Sequence, residues 1–444
     1  MSQLAAPRPP HAVASVRRIA GLALPALVVL AAEPLYVLVD TAVLGHLGRV
    51  PLAALAVGGT VMTLVVWIGT VTAYGTTGRA ARRFGAGERS AAVAEGVQAS
   101  WLALGAGLLL AVTMQFAAGP LARALAGGGS GEVAAGAALW LRVAALGAPG
   151  LLLAAAGNGW LRGVQDIRRP LYFVLGPNLL SAVLCPLLVY PAGLGLVGSA
   201  VANAVAQTFS GLLFAGALIA ERVPLRPRPE VIARQLVLSR DLLLRGLAFQ
   251  ASFLSATAVA ARFGVAAVGA HQIALQLWFF TALMLDALAI AAQSLVGAAL
   301  GAGDAEGARS LARRVAVIGG ACGVAFAVLI GAGAGTVPSW FSGDPQVYDQ
   351  AMVAWPWFAA MQPLAGVVFA LDGVLIGAGD VRYLRDLTIV AALGAFLPAI
   401  WITYALDLGL GGIWAGLTLF VVVRLVALLL RLHTGRWAVV GATR

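Results

Sequence analysis

Twelve runs of about twenty predominantly apolar residues follow one another with short polar breaks between them, and that recurrence restricts the chain to one kind of surroundings. A run of this length crosses the hydrocarbon core of a bilayer as a helix, because every backbone N–H and C=O there must be paired inside its own segment. Bounded by Gly, Pro and charge clusters, the runs are read at 18–45, 52–80, 94–118, 132–160, 169–191, 195–220, 239–262, 267–300, 311–336, 347–377, 384–405 and 410–431. The chain is 61% apolar and 11% charged, against roughly a quarter charged in soluble domains, which excludes a soluble enzyme. The first run, Ile19 to Val43, follows a polar start from Met1 to Arg18 and outlasts the roughly 7–15 apolar residues of a cleavable signal core. It is read as the first spanning helix.

All 29 basic residues are arginine, so the net charge of +11 serves as an orientation signal. With a cytoplasmic N-terminus, 24 of them fall on the cytoplasmic side, among them Arg79, Arg82, Arg83 and Arg89 after span 2 and Arg222, Arg226 and Arg228 after span 6. Arg49, Arg123 and Arg262 fall outside, and Arg142 and Arg424 lie within spans. Short cytoplasmic loops carry the arginine excess, so both termini are expected in the cytoplasm and the chain in the cell membrane. No basic patch interleaved with aromatics stands on a soluble face, so the expected partner is the lipid bilayer and not a nucleic acid.

A shift of 216 residues aligns Thr41-Ala42-Val43 with Thr257-Ala258-Val259, Gly48 with Gly264, and Gly85-Ala86-Gly87-Glu88 with Gly301-Ala302-Gly303-Asp304. Further on, a shift of 214 aligns Pro149 with Pro363, Gly163 with Gly377, Asp166 with Asp380, Arg168 with Arg382 and Leu194-Gly195-Leu196 with Leu408-Gly409-Leu410. The predicted fold is therefore all-α and polytopic, twelve transmembrane helices in two pseudo-symmetric six-helix bundles. An N-terminal bundle is expected over 1–221, a Pro- and Arg-rich cytoplasmic linker over 222–238 and a C-terminal bundle over 239–444. An even number of spans per half makes this a parallel repeat. In transporters so built, the substrate binds near the midplane and one repeat rocks against the other.

Other chemistries find no residues to use. Cys185 and Cys322 lack C-x-x-C spacing, the histidines His11, His46, His271 and His433 never fall four apart, and there is no P-loop. No paired nucleophile and base is encoded either. Neither catalysis, a metal nor a cofactor is expected. Trp67, Trp278, Trp340 and Trp414 read as interface anchors or packing.

Four acids stand inside apolar runs: Glu33 and Asp40 on span 1, Asp286 on span 8 and Asp372 on span 10. A carboxyl in hydrocarbon is costly as an anion, so an acid there can load and unload a proton near neutral pH and carry it across. Seven residues apart, Glu33 and Asp40 lie within about 20° of one helix face and about 10 Å along the axis. Pro25 and Pro34 interrupt the backbone bonding of the same helix and allow it to bend. The repeat partners of Glu33 and Asp40 are Phe249 and Ala256, so this acidic site belongs to the first half alone. Asp286, Asp372, Asn178, Ser181, Asn203, Gln272 and Gln276 either line a substrate cavity or join helices by hydrogen bonds.

The phrase Leu38-Val39-Asp40-Thr41-Ala42-Val43-Leu44-Gly45-His46-Leu47-Gly48, with Leu161 to Asp166, Leu285 to Gln293, Leu371 to Gly377 and the paired Gly-Ala-Gly-acid turns, resembles the multidrug and toxic compound extrusion (MATE) transporters, most closely their DinF-type branch. The resemblance implies a cation-driven antiporter that expels amphipathic, often cationic, organic compounds, with Asp40 as a coupling residue. Many members carry Asn-x-x-Asn-x-x-x-Asp on span 5, which with the span 1 aspartate and a span 6 threonine forms a sodium site. Here the run reads Asn178, Ser181, Cys185, and Asn203 stands where the threonine is expected. Replacing a carboxylate by a thiol removes a charge and an oxygen ligand that a hard cation wants. The expectation is therefore proton coupling rather than sodium, with Asp40 the main carrier and Glu33 assisting. Rival readings are a sodium-coupled exporter, an organic-anion exporter and a flippase for lipid-linked precursors.

Overall fold

A computed structural model describes residues 15–126 and 131–443. His11 and most of the polar N-terminal segment lie outside the described residues. Twelve long apolar helices follow the chain: α1 Val16–Leu47, α2 Arg49–Gly85, α3 Arg89–Leu125, α4 Gly131–Gly163, α5 Arg168–Val189, α6 Gly195–Ala220, α7 Pro229–Arg262, α8 Val265–Gly301, α9 Ala305–Ala332, α10 Pro345–Gly377, α11 Val381–Ala405 and α12 Gly409–Thr434. The protein is a multi-pass membrane protein. α4 passes through one 3₁₀ turn at Ala145–Gly147 and α11 through a π turn at Ala392–Phe396.

The helix breaks follow the repeat. α1 gives way to α2 at Gly48 (φ 142°) and α7 to α8 at Gly264 (φ 110°). The tight turns after α2 and α8 use Gly87 and Gly303, both at φ 82°, a left-handed conformation in which a Cβ is penalised. Asp304 then caps α9, its Oδ1 accepting from the Gly307 amide at 2.7 Å.

Two compact units divide the chain. The first covers 25–239. Within it α4 packs on α2, α3 and α6, and α5 packs on α6. Trp140, Leu141 and Leu152 form one cluster of its core, and Trp160, Leu161 and Phe214 another. The second covers 240–443 with the described residues before 25. Within it α10 packs on α8, α9 and α12, and α11 packs on α12. Each unit thus has one enclosed central helix: 67% of the apolar window is buried in α4 and also in α10.

The segment expected as a linker over 222–238 is helical from Pro229, where the proline suits the first turn of α7. Its extended part is strapped to the first unit. The Gln98 side chain donates to the Arg226 carbonyl at 3.1 Å and accepts from the Arg228 amide at 2.6 Å. Trp101 Nε1 donates to the Leu225 carbonyl at 2.7 Å.

Candidate functional site

Asp40 is 3% exposed, in the first unit. Cys185 Sγ on α5 donates to Oδ1 at 3.0 Å and Ser199 Oγ on α6 donates to Oδ2 at 3.0 Å. Trp140 Nε1 on α4 donates to Ser199 Oγ at 3.1 Å, which turns that hydroxyl's own proton toward the carboxylate. Among the described residues no arginine or histidine pairs with Asp40. One turn earlier on α1, the Tyr36 hydroxyl accepts from Asn203 Nδ2 at 3.2 Å. Ser181 stands one turn before Cys185 on α5, 1% exposed. Ser181 hydrogen-bonds the Tyr36 hydroxyl, and the Asn203 Oδ1 is buried without a hydrogen-bond partner.

Glu33 lines a cavity of about 190 Å³ in the same unit, between α1, α2, α4, α5 and α6. Its polar wall holds Glu33, Thr70, Tyr74, Asn158, Arg162, Asn178, Gln207 and Ser210, set among Val29, Leu30, Val66, Leu151 and Val174. Gln207 hydrogen-bonds Glu33. Asn178 Nδ2 donates to the Val174 carbonyl at 2.9 Å, and the Asn158 Oδ1 is buried and unpartnered. Drug-sized sites measure ~300–1,000 Å³, so this cavity admits a head group and not a whole amphipath.

Of the expected residues, Asp40, Ser181 and Asn203 gather in the polar cluster, and Glu33 and Asn178 line the cavity. Pro25 and Pro34 sit inside α1, which runs through both as one helix of 32 residues. The other candidates belong to the second unit. Gln276 on α8 is exposed, and Gln272 and Asp286 on α8 are half-buried. Asp372 on α10 does not stand open as a cavity acid: Arg424 Nη2 donates to its Oδ1 and Oδ2 at 2.9 and 2.6 Å, and Arg245 Nη2 also donates to Oδ2. Ser199, Tyr36, Trp140, Gln207 and Arg162 were not singled out by the sequence reading. Tyr36 with Asp40, and Ser199 with Asn203, are polar pairs four apart in apolar runs, a same-face spacing that marks the first two of them.

Twelve spanning helices, two repeated units and a carboxylate buried among neutral donors define a membrane carrier. The chain belongs to the MatE family, whose profile matches it twice, at residues 25–187 and 242–404. It is 33% identical to Protein DETOXIFICATION 44, chloroplastic, of Arabidopsis thaliana, over 94% of this chain and 83% of that protein. It is 31% identical to DNA damage-inducible protein F of Escherichia coli, over 91% of this chain and 89% of that one. The fold matches a crystal structure described as MATE in the bent conformation, with TM-score 0.87 and 24% identity, covering 97% of each chain. The protein is accordingly a transporter of the multidrug and toxin extrusion class and not an enzyme.

Proposed function

We propose that this chain exports amphipathic, cationic organic compounds across the cell membrane in exchange for protons, by alternating access, with Asp40 as the principal proton carrier and Glu33 assisting. The observation that carries the reading is the make-up of the Asp40 shell. A hydroxyl and a thiol can each donate or accept, so Cys185 and Ser199 can accompany both the ionised and the protonated carboxyl. An arginine, a donor only, would hold the ionised form. Glu33 gives the cavity wall a carboxyl for a cationic head group, with Arg162 on the same wall, and Pro25 and Pro34 give α1 places to bend as Asp40 changes charge. Protons are preferred over sodium because a thiol, a poor ligand for a hard cation, fills the place beside Asp40. The arginine bias supports cytoplasmic termini.

The test is export of a cationic dye from vesicles containing the full chain, with proton and sodium gradients imposed separately. A proton gradient should drive export, Asp40→Asn should abolish it and Glu33→Gln should slow it. Export driven by sodium alone would overturn the choice of ion. Retention of pH-driven export in both variants would overturn the assignment of the carriers.

A further inference from the structure

The internal repeat places a second, differently charged cluster where the first unit has its cavity. In the registers given above, Val29, Glu33, Asn158 and Ser210, which all line the cavity, correspond to Arg245, Phe249, Asp372 and Arg424. In the second unit that place is filled by an ion triad. Arg424 and Arg245 both bind Asp372, and the Phe249 ring lies 4.9 Å from the Arg424 guanidinium and 5.5 Å from that of Arg245. Arg424 is 3% exposed and Asp372 5%. Among the described residues Asp372 is the one carboxylate in contact with either arginine. The cluster therefore keeps one uncompensated positive charge, and the Nε–H of each arginine is buried without an acceptor.

A buried charge without a counter-charge is costly, and the ring stacking offsets only part of that cost. Two planar guanidinium forks that share one carboxylate and keep spare donors suit a second oxyanion. We propose that Arg245 and Arg424 form an anion-binding site in the second unit, which takes the carboxylate, sulfonate or phosphate of a monoanion and sets its apolar or aromatic body against Phe249. The site extends the substrate range to compounds of the opposite charge from those drawn by Glu33. As a substrate site it rests on the export reading; as a binding site it does not.

The test is calorimetric titration of the purified full chain, in neutral detergent, with benzoate, inorganic phosphate and the aromatic cation tetraphenylphosphonium. Benzoate should bind saturably, and Arg245→Gln should weaken it by at least about ten-fold while leaving tetraphenylphosphonium unchanged. Arg313→Gln, which removes an exposed arginine of α9, should leave benzoate binding as it was. Arg424→Gln alone strands a buried carboxylate, so the double variant Arg424→Gln/Asp372→Asn is the informative one, and it too should lose benzoate. Phosphate that displaces benzoate in an Arg245-dependent way supports the site and assigns it to a free anion. Absence of saturable benzoate binding, or equal binding by Arg245→Gln, overturns the proposal. Dye export in the same preparations separates the two readings: benzoate binding without pH-driven export counts against the export reading alone, and export without benzoate binding against the anion site alone.

Discussion

Three donors within one buried shell set what Asp40 can do. Trp140 fixes the Ser199 hydroxyl, and Ser199 and Cys185 each offer a proton to a different carboxylate oxygen. A hydrogen bond to a charged group contributes about 1.5–3 kcal/mol, so Ser199→Ala should lower pH-driven export several-fold in the vesicle assay. Cys185→Ser keeps a donor that can also accept and should leave export near its original rate. Cys185→Asp puts back an oxygen ligand and a negative charge, and a sodium gradient should then begin to drive export. If Cys185→Asp gains no sodium response, the thiol does not decide the ion.

Helix contacts in this chain depend on small residues that let backbones meet. A Cβ at Gly159 of α4 would stand 2.7 Å from the Ala73 carbonyl oxygen of α2, and one at Gly373 of α10 would strike the Ala289 carbonyl oxygen of α8. These are the same crossing, 214 residues apart on one helix and 216 on the other. Neither backbone can yield as a flexible side chain would. Gly159→Val should therefore destabilise the first unit by about 1–3 kcal/mol, the usual range for overpacking, seen as a lowered melting temperature in detergent. Gly105 on α3 has nothing within 4 Å of its would-be Cβ, and Gly105→Ala should be neutral or slightly stabilising through helix propensity. The number and approximate place of the helices were legible from apolar run length, and span 6 was read at the bounds α6 has, Gly195–Ala220, whereas span 3, read at 94–118, is Arg89–Leu125. The start of α7 was not legible. Pro229 reads equally as a linker proline or as the first residue of a helix; in the structure it opens α7, and Gln235 in the next turns donates to the Glu95 carbonyl at 3.1 Å.

At the scale of the whole molecule, the arginines predict topology. A fluorescent protein fused after Arg444 should fold and fluoresce in the cytoplasm, and alkaline phosphatase fused within the Pro191–Leu194 turn should be active on the far side. The reverse pattern would overturn the proposed orientation and, with it, the direction of export. Two acids near the edges of the apolar runs are paired: Glu95 with Arg79 at 2.7 Å in the first unit and Asp241 with Arg385 at 2.8 Å in the second. Both acids lie at the edges of apolar runs, where composition does not separate them from loop residues.

The sequence by itself determined the membrane class, the number of spans, the two-fold repeat and the presence of acids inside the apolar runs, because the bilayer imposes length and composition on every segment separately. It could not show which groups surround Asp40 on span 1 or Asp372 on span 10, both acids in apolar runs. Tertiary structure separates them through partners far away in the chain. A thiol and a hydroxyl 145 and 159 residues on reach Asp40, whereas arginines 127 residues before and 52 residues after reach Asp372. A buried carboxyl takes its chemistry from the groups packed around it, and the folded helices alone bring those groups together.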